Sequence, residues 1–95
     1  MKKHRLKTWA TAFEAIEAGR KTFEVRFNDR FFQAGDLVEL VKVSDEAPHY
    51  NVNRPGERFS EITLQRRIGW MLHGGQFGIQ PGYVVFQLEP VEPTP

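Results

Sequence analysis

Between Gly19 and Arg26 the chain reads G-x-K-x-x-E-x-R, bringing Lys21, Glu24 and Arg26 within eight residues. In an extended strand, residues two apart share a face, so Glu24 and Arg26 project to one side with Lys21 at its entrance. The chemistry open to this set is recognition of a phosphorylated, base-bearing ligand. Arg26 can grip a phosphate in bidentate fashion and Lys21 can act as a point charge, while Glu24 can accept hydrogen bonds from a base amino group such as that of cytosine. A carboxylate between two cations also orients them. Lys7 and Arg30 are supporting cations, and Tyr83 is the candidate stacking platform for a base. The plain alternative is a surface ion-pair network, in which each pair contributes about 0–1 kcal/mol.

The elements that must position these residues follow from periodicity. Thr8 to Ala18 reads as an amphipathic helix, with Trp9, Ala12, Phe13 and Ile16 on one face and Glu14 and Glu17 opposite. Thr8, or Thr11 in a capping-box pattern with Glu14, is expected to cap its start, and Gly19 to end it. From Thr22 to Phe27 the period becomes two, with Phe23, Val25 and Phe27 forming the apolar side and Thr22, Glu24 and Arg26 the charged one. Asn28-Asp29-Arg30 and Gly35-Asp36 are turns, the second leading into an apolar strand from Leu37 to Val43. Residues 44–58 read as a long polar loop. Phe59 to Leu72 alternates, with Ile62, Leu64, Ile68, Trp70 and Leu72 on one side and Arg66 interrupting it; Trp70 is expected in the core. Gly74-Gly75 through Pro81-Gly82 is a turn-rich connection, and Val84, Phe86 and Leu88 point inward from a last strand. Four or five strands, one early helix and no βαβ alternation predict an α+β, mainly β fold forming a small closed or nearly closed barrel. A single domain is expected over residues 1–89, with a flexible tail over 90–95.

With 95 residues there is room for one core. The absence of Cys excludes disulfides, Cys-ligated zinc and thiol nucleophiles. His4, His49 and His73 are scattered without ligand spacing, so no metal and no cofactor are expected. No apolar run is long enough for a signal peptide or a membrane span, which makes a cytoplasmic protein the default and a membrane partner unexpected. The net charge of +1 divides unevenly. Residues 1–30 hold eight Lys/Arg against four Asp/Glu, and residues 31–95 hold five against eight. An anionic partner therefore belongs with the first third of the chain. Lys2, Lys3 and Arg5 read equally well as a solvated basic end, whereas His4 reads as a surface residue before it reads as a proton donor or acceptor near the cleft.

The G-x-K-x-x-E-x-R run, crossing from helix end to strand, resembles the hallmark of the ASCH superfamily. His4 and Lys7 before the helix, Thr22-Phe23 inside the motif, Asn28-Asp29-Arg30 and Gly35-Asp36 resemble one small bacterial and phage branch of it, labelled as a domain of unknown function. The resemblance covers residues 4–41, with an echo at Gly82-Tyr83-Val84-Val85. It implies a PUA-like β-barrel with an RNA-binding cleft between the first helix and the barrel, lined by the motif. Similar small proteins hydrolyse N4-acylated cytidine with the motif Lys, a Thr where this chain has Glu24, and a distal Glu. Here the Thr is absent, and Glu57 and Glu61 lie where the resemblance gives no match. The leading expectation is thus binding of RNA or a nucleotide-like ligand. A nucleoside amidohydrolase using Lys21 and Glu24 is the second class, and a protein that binds a host protein is the third. An exposed apolar patch would favour the third.

Overall fold

The computed structural model describes residues 1–46, 50–52 and 61–91. The element order is β1 (Lys3–Trp9), α1 (Ala10–Glu17), β2 (Phe23–Phe27), β3 (Leu37–Val43), β4 (Thr63–His73) and β5 (Tyr83–Pro90). They build one five-stranded sheet in the order β1-β3-β4-β5-β2. β1 runs parallel to β3, and the remaining pairs are antiparallel. The sheet curls into a half-barrel, so the fold is the small, mainly β, barrel-like α+β domain expected. Its two edge strands, β1 and β2, face each other across an open seam.

β1 is the element that periodicity missed. His4, Leu6 and Thr8 alternate inward between exposed Lys3, Arg5, Lys7 and Trp9. His4 is buried because Asp36 meets it: the His4 Nε2 and Asp36 Oδ2 atoms lie 2.9 Å apart, beneath the Phe32 ring at 4.7 Å between centroids. Asp36 also accepts from the backbone N–H groups of Lys2 and Gln33, each at 3.1 Å. Burial pushes this carboxyl up, but the bonds from His4, Lys2 and Gln33 together hold it below its ordinary value. Asp36 is therefore a tie between the start of β1 and the turn before β3, beyond the turn-bracing role that its type suggested.

α1 packs Phe13 and Ile16 into the core as expected, and Gly19 ends it at φ +80°. Its start differs from expectation. Trp9 occupies the cap position and makes no side-chain cap bond. The Asp45 carboxylate, just beyond β3, accepts from the Thr11 N–H at 3.1 Å and from the Thr11 hydroxyl. Thr11 is thus a donor held by a residue distant in sequence, while Glu14 pairs with Lys42 at 3.0 Å. Neither Thr8 nor the Thr11/Glu14 box supplies the cap.

β5 follows the predicted parity, burying Val84, Phe86 and Leu88, while β3, the apolar strand expected, places Val38 and Leu40 in the core with Leu6, Phe32, Ile62 and Ile68 and buries Val41 and Val43 as well. β4 does not keep its predicted parity. A bulge between Ile68 and Met71 inserts one residue into its pairing with β5. Beyond it the parity flips, so Met71 packs on the core while Trp70, expected inside, is 67% exposed. Arg66 is half-buried on the inner parity and donates to the Gln65 carbonyl at 2.8 Å, two residues before the bulge. The predicted strand start at Phe59, most of the loop over 44–58 and the end of the tail lie outside the described residues; Pro90 belongs to β5.

Candidate functional site

β2 carries the motif with its parity inverted. Phe23, Val25 and Phe27 are about half exposed, whereas Glu24 is buried and Arg26 partly so. The cause lies in the register. Glu24 and Arg26 stand opposite Phe86 and Val84, the inward residues of β5. At an edge of an open half-barrel the inner side is the wall of a cleft, so polar groups can turn inward and still reach partners and water.

The three motif side chains do meet. Glu24 takes the Lys21 ammonium on Oε1 and the Arg26 Nε–H on Oε2, the latter at 2.7 Å. Lys21 also donates to the Phe23 carbonyl at 2.6 Å, and its Nζ stands 5.0 Å from the centre of the Phe23 ring. Arg26 then spans the seam, donating through Nη2 to the Lys7 carbonyl at 3.0 Å and the Thr8 hydroxyl at 3.4 Å. Arg30 makes a parallel stitch to the Arg5 carbonyl at 2.6 Å. Two arginines thus satisfy carbonyls of edge strand β1 that have no sheet partner on that side, fixing the width of the opening. Nη1 of Arg26 and the Lys7 ammonium have no protein partner among the described residues.

Above this seam lies an open cleft of about 370 Å³ lined by Lys7, Thr8, Trp9, Ala12, Glu24, Val25 and Arg26. It sits where β1 turns into α1, between that corner and β2. Trp9, expected in the core on the helix face, is instead 60% exposed and forms one wall. Helical periodicity hides it, because a helix over Thr8 to Ala18 places Trp9 on the core-facing stripe. As the last residue of β1 it shares parity with Lys3, Arg5 and Lys7, and that outward alternation was the available signal.

The remaining candidates lie elsewhere. Tyr83 pairs with Phe27 on the outer side of the sheet, with ring centroids 5.5 Å apart, and does not line the cleft. Arg30 lines a smaller neighbouring hollow with Leu6, Arg26, Phe27, Asp29 and Phe32. Glu61 is bound by Arg5 and by the Asn51 amide at 3.1 Å, and the Arg5 hydrogen bond holds its carboxyl below the ordinary value. It does not line the cleft either, and Glu57 lies outside the described residues. Among the described residues no group of three His, Asp or Glu gathers as a metal site, and no helix is long and apolar enough to cross a membrane.

A curled mainly β sheet with a charged cleft at its seam defines a small barrel-like domain. The chain belongs to the family described as a domain of unknown function, DUF3850, which it matches over residues 3–88. It is also similar to a glutamine-dependent NAD(+) synthetase of Mycobacterium bovis and to its counterparts in two strains of Mycobacterium tuberculosis. The identity is 32% over 101 aligned positions, covering 94% of this chain. The chain spans only 14% of the length of those relatives.

Proposed function

We propose that this is an ASCH-type, PUA-like domain that binds RNA or a nucleotide-like ligand in the seam cleft. The observation that carries the reading is the composition of that cleft: an exposed indole beside the Lys7 ammonium, which no described residue pairs, and the guanidinium of Arg26, with the Glu24 carboxylate at its base. A base stacks on the Trp9 indole, a contact worth about 1–3 kcal/mol. Phosphates meet Lys7 and the free Nη1 of Arg26. Glu24, itself held by Lys21 from outside the cleft, keeps Arg26 in place and presents a polar edge to the base. Sequence reasoning gave the stacking role to Tyr83; the cleft geometry supports Trp9.

The amidohydrolase reading finds less support. The Lys21 ammonium is bound to a carboxylate and a carbonyl, an environment that favours its charged, non-nucleophilic form. The one distal carboxylate among its candidates that is described, Glu61, is engaged by Arg5 away from the cleft.

Fluorescence anisotropy with short single-stranded and hairpin RNAs, matched DNAs and two salt concentrations tests the proposal. Lys7→Ala and Trp9→Ala are the informative variants, because both side chains are exposed and neither supports the fold. Two or three phosphate contacts predict that affinity for a single strand drops about 7- to 18-fold between 50 and 200 mM salt, and Lys7→Ala flattens that dependence. Absence of binding at low salt, or binding indifferent to both substitutions, overturns the reading.

A further inference from the structure

The charged cleft takes Glu24 and Arg26 from the inner side of β2 and Val25 alone from the outer; the rest of the outer side is unaccounted for. Phe23, Val25 and Phe27 emerge there in register with Gln87, Val85 and Tyr83 of β5. The β4 bulge adds a third strand to this surface. Leu72 pairs with Val85, and Trp70, two residues earlier, is turned outward with its backbone N–H on the Gln87 side-chain oxygen at 3.2 Å. The connection after β4 folds over the same side, where Gly78, Ile79 and Gln80 border an open groove of about 410 Å³ with Val25, Tyr83 and Val85. Without the bulge, Trp70 would point to the core and the surface would lose its largest side chain.

We propose that this outer face of β2, β5 and β4 is a self-association surface, on which a second copy of the chain stacks sheet to sheet. Three observations choose that occupant. Among the described residues the face carries no charged side chain between the Phe27–Tyr83 end and Gln87; Lys21, 5.0 Å from the Phe23 ring, and Glu89 begin the charged border. A face without cations has nothing with which to hold nucleic acid, whereas meeting an identical uncharged face in a two-fold dimer incurs no repulsion. The area also fits. Phe23, Phe27, Trp70 and Tyr83 are 46, 56, 67 and 38% exposed. At about 200 Å² for a free aromatic side chain, these and the adjoining aliphatic residues present about 500 Å² of apolar surface. A polar rim that includes Gln80 and Gln87 extends this toward the roughly 800 Å² per partner of a standard interface. Finally, the shape is that of a sheet exterior, which packs face to face on another sheet at about 10 Å, as in a β-sandwich.

Sedimentation equilibrium of the full chain from about 10 nM, with fluorescence detection, to about 1 mM spans the affinities open to such an interface and reads the outcome directly. The expected result is a mass that rises with concentration from one chain to two. Trp70→Glu and Tyr83→Glu, each placing a charge on the face, shift the midpoint at least tenfold to higher concentration. Ala18→Glu, at the exposed end of α1, leaves it unchanged. Circular dichroism establishes that each variant is folded, and two separate face variants guard against loss of either one. A wild-type mass of one chain throughout, or association that both folded face variants retain, overturns the proposal.

Discussion

Replacing Glu24 with Ala removes the carboxylate that joins Lys21 to Arg26 at the base of the cleft. Each lost bond to a charged group is worth about 1.5–3 kcal/mol where water cannot substitute. Here the two cations keep 24 and 27% of their side-chain surface exposed, against 6% for Glu24, so water recovers part of their solvation once the carboxylate is gone. A net loss of about 2 kcal/mol follows, which lowers the melting temperature of a domain this size by about 8–16 °C. Glu24→Gln preserves the volume and one acceptor oxygen and loses about half as much. The Arg26 stitch to Lys7 and Thr8 remains in both variants, but without Glu24 it has lost the anchor on its Nε, so ligand affinity falls along with stability. Thermal melts followed by circular dichroism at neutral pH check the first part. A Glu24→Ala melting point within about 2 °C of the parent would refute the view that this buried carboxylate organises the seam.

Asp36→Asn keeps the shape of the knot with His4 and the backbone of Lys2 and Gln33 but loses the anion. The folded carboxyl is held below its ordinary value, so its contribution is present above the unfolded value of about 4 and is lost as pH falls through the folded one. Urea unfolding is therefore expected to show the variant weaker by about 2 kcal/mol at pH 7, with the gap closing below about pH 4; a gap independent of pH contradicts this. Trp9→Ala weakens single-stranded RNA binding about 5- to 150-fold, as loss of one stacked base requires, whereas Tyr83→Ala leaves it unchanged in the same anisotropy titration. Gly82→Ala forces a Cβ into a φ of +87° and to 2.8 Å from the Phe27 ring. Because that ring is exposed and can yield, the expected cost is about 1–2 kcal/mol in chemical denaturation.

Much of the fold was legible because it follows from local periodicity. The Phe13–Ile16 stripe and the Gly19 stop define α1, β5 buries the side chains that its alternation assigns, and β3 is the apolar strand that its composition implies. β1 was hidden because two of its three inward residues, His4 and Thr8, are polar, and His4 is buried only through Asp36, 32 positions away. The gathering of Lys21, Glu24 and Arg26 could be read from spacing, but the side of β2 facing inward could not. Apolar residues usually mark the core, yet at the seam the inner side is a polar cleft, and the aromatic parity faces out. Trp70 was misassigned because a bulge, invisible to strict alternation, reverses the parity of β4. Trp9 was misassigned through an early helix boundary, the least determinate feature of a helix read from sequence.

The proposed function places RNA or a nucleotide-like ligand in the seam cleft and on no other surface. Amide and indole chemical-shift mapping of the isotope-labelled protein, titrated with a short single-stranded RNA, tests it most directly. The account predicts the largest shifts at Lys7, Thr8, the Trp9 indole N–H, Ala12, Glu24 and Arg26, with Trp70, Tyr83 and Val85 little affected. Shifts centred on the outer face of β2, β5 and β4, or none at saturating RNA, would contradict it.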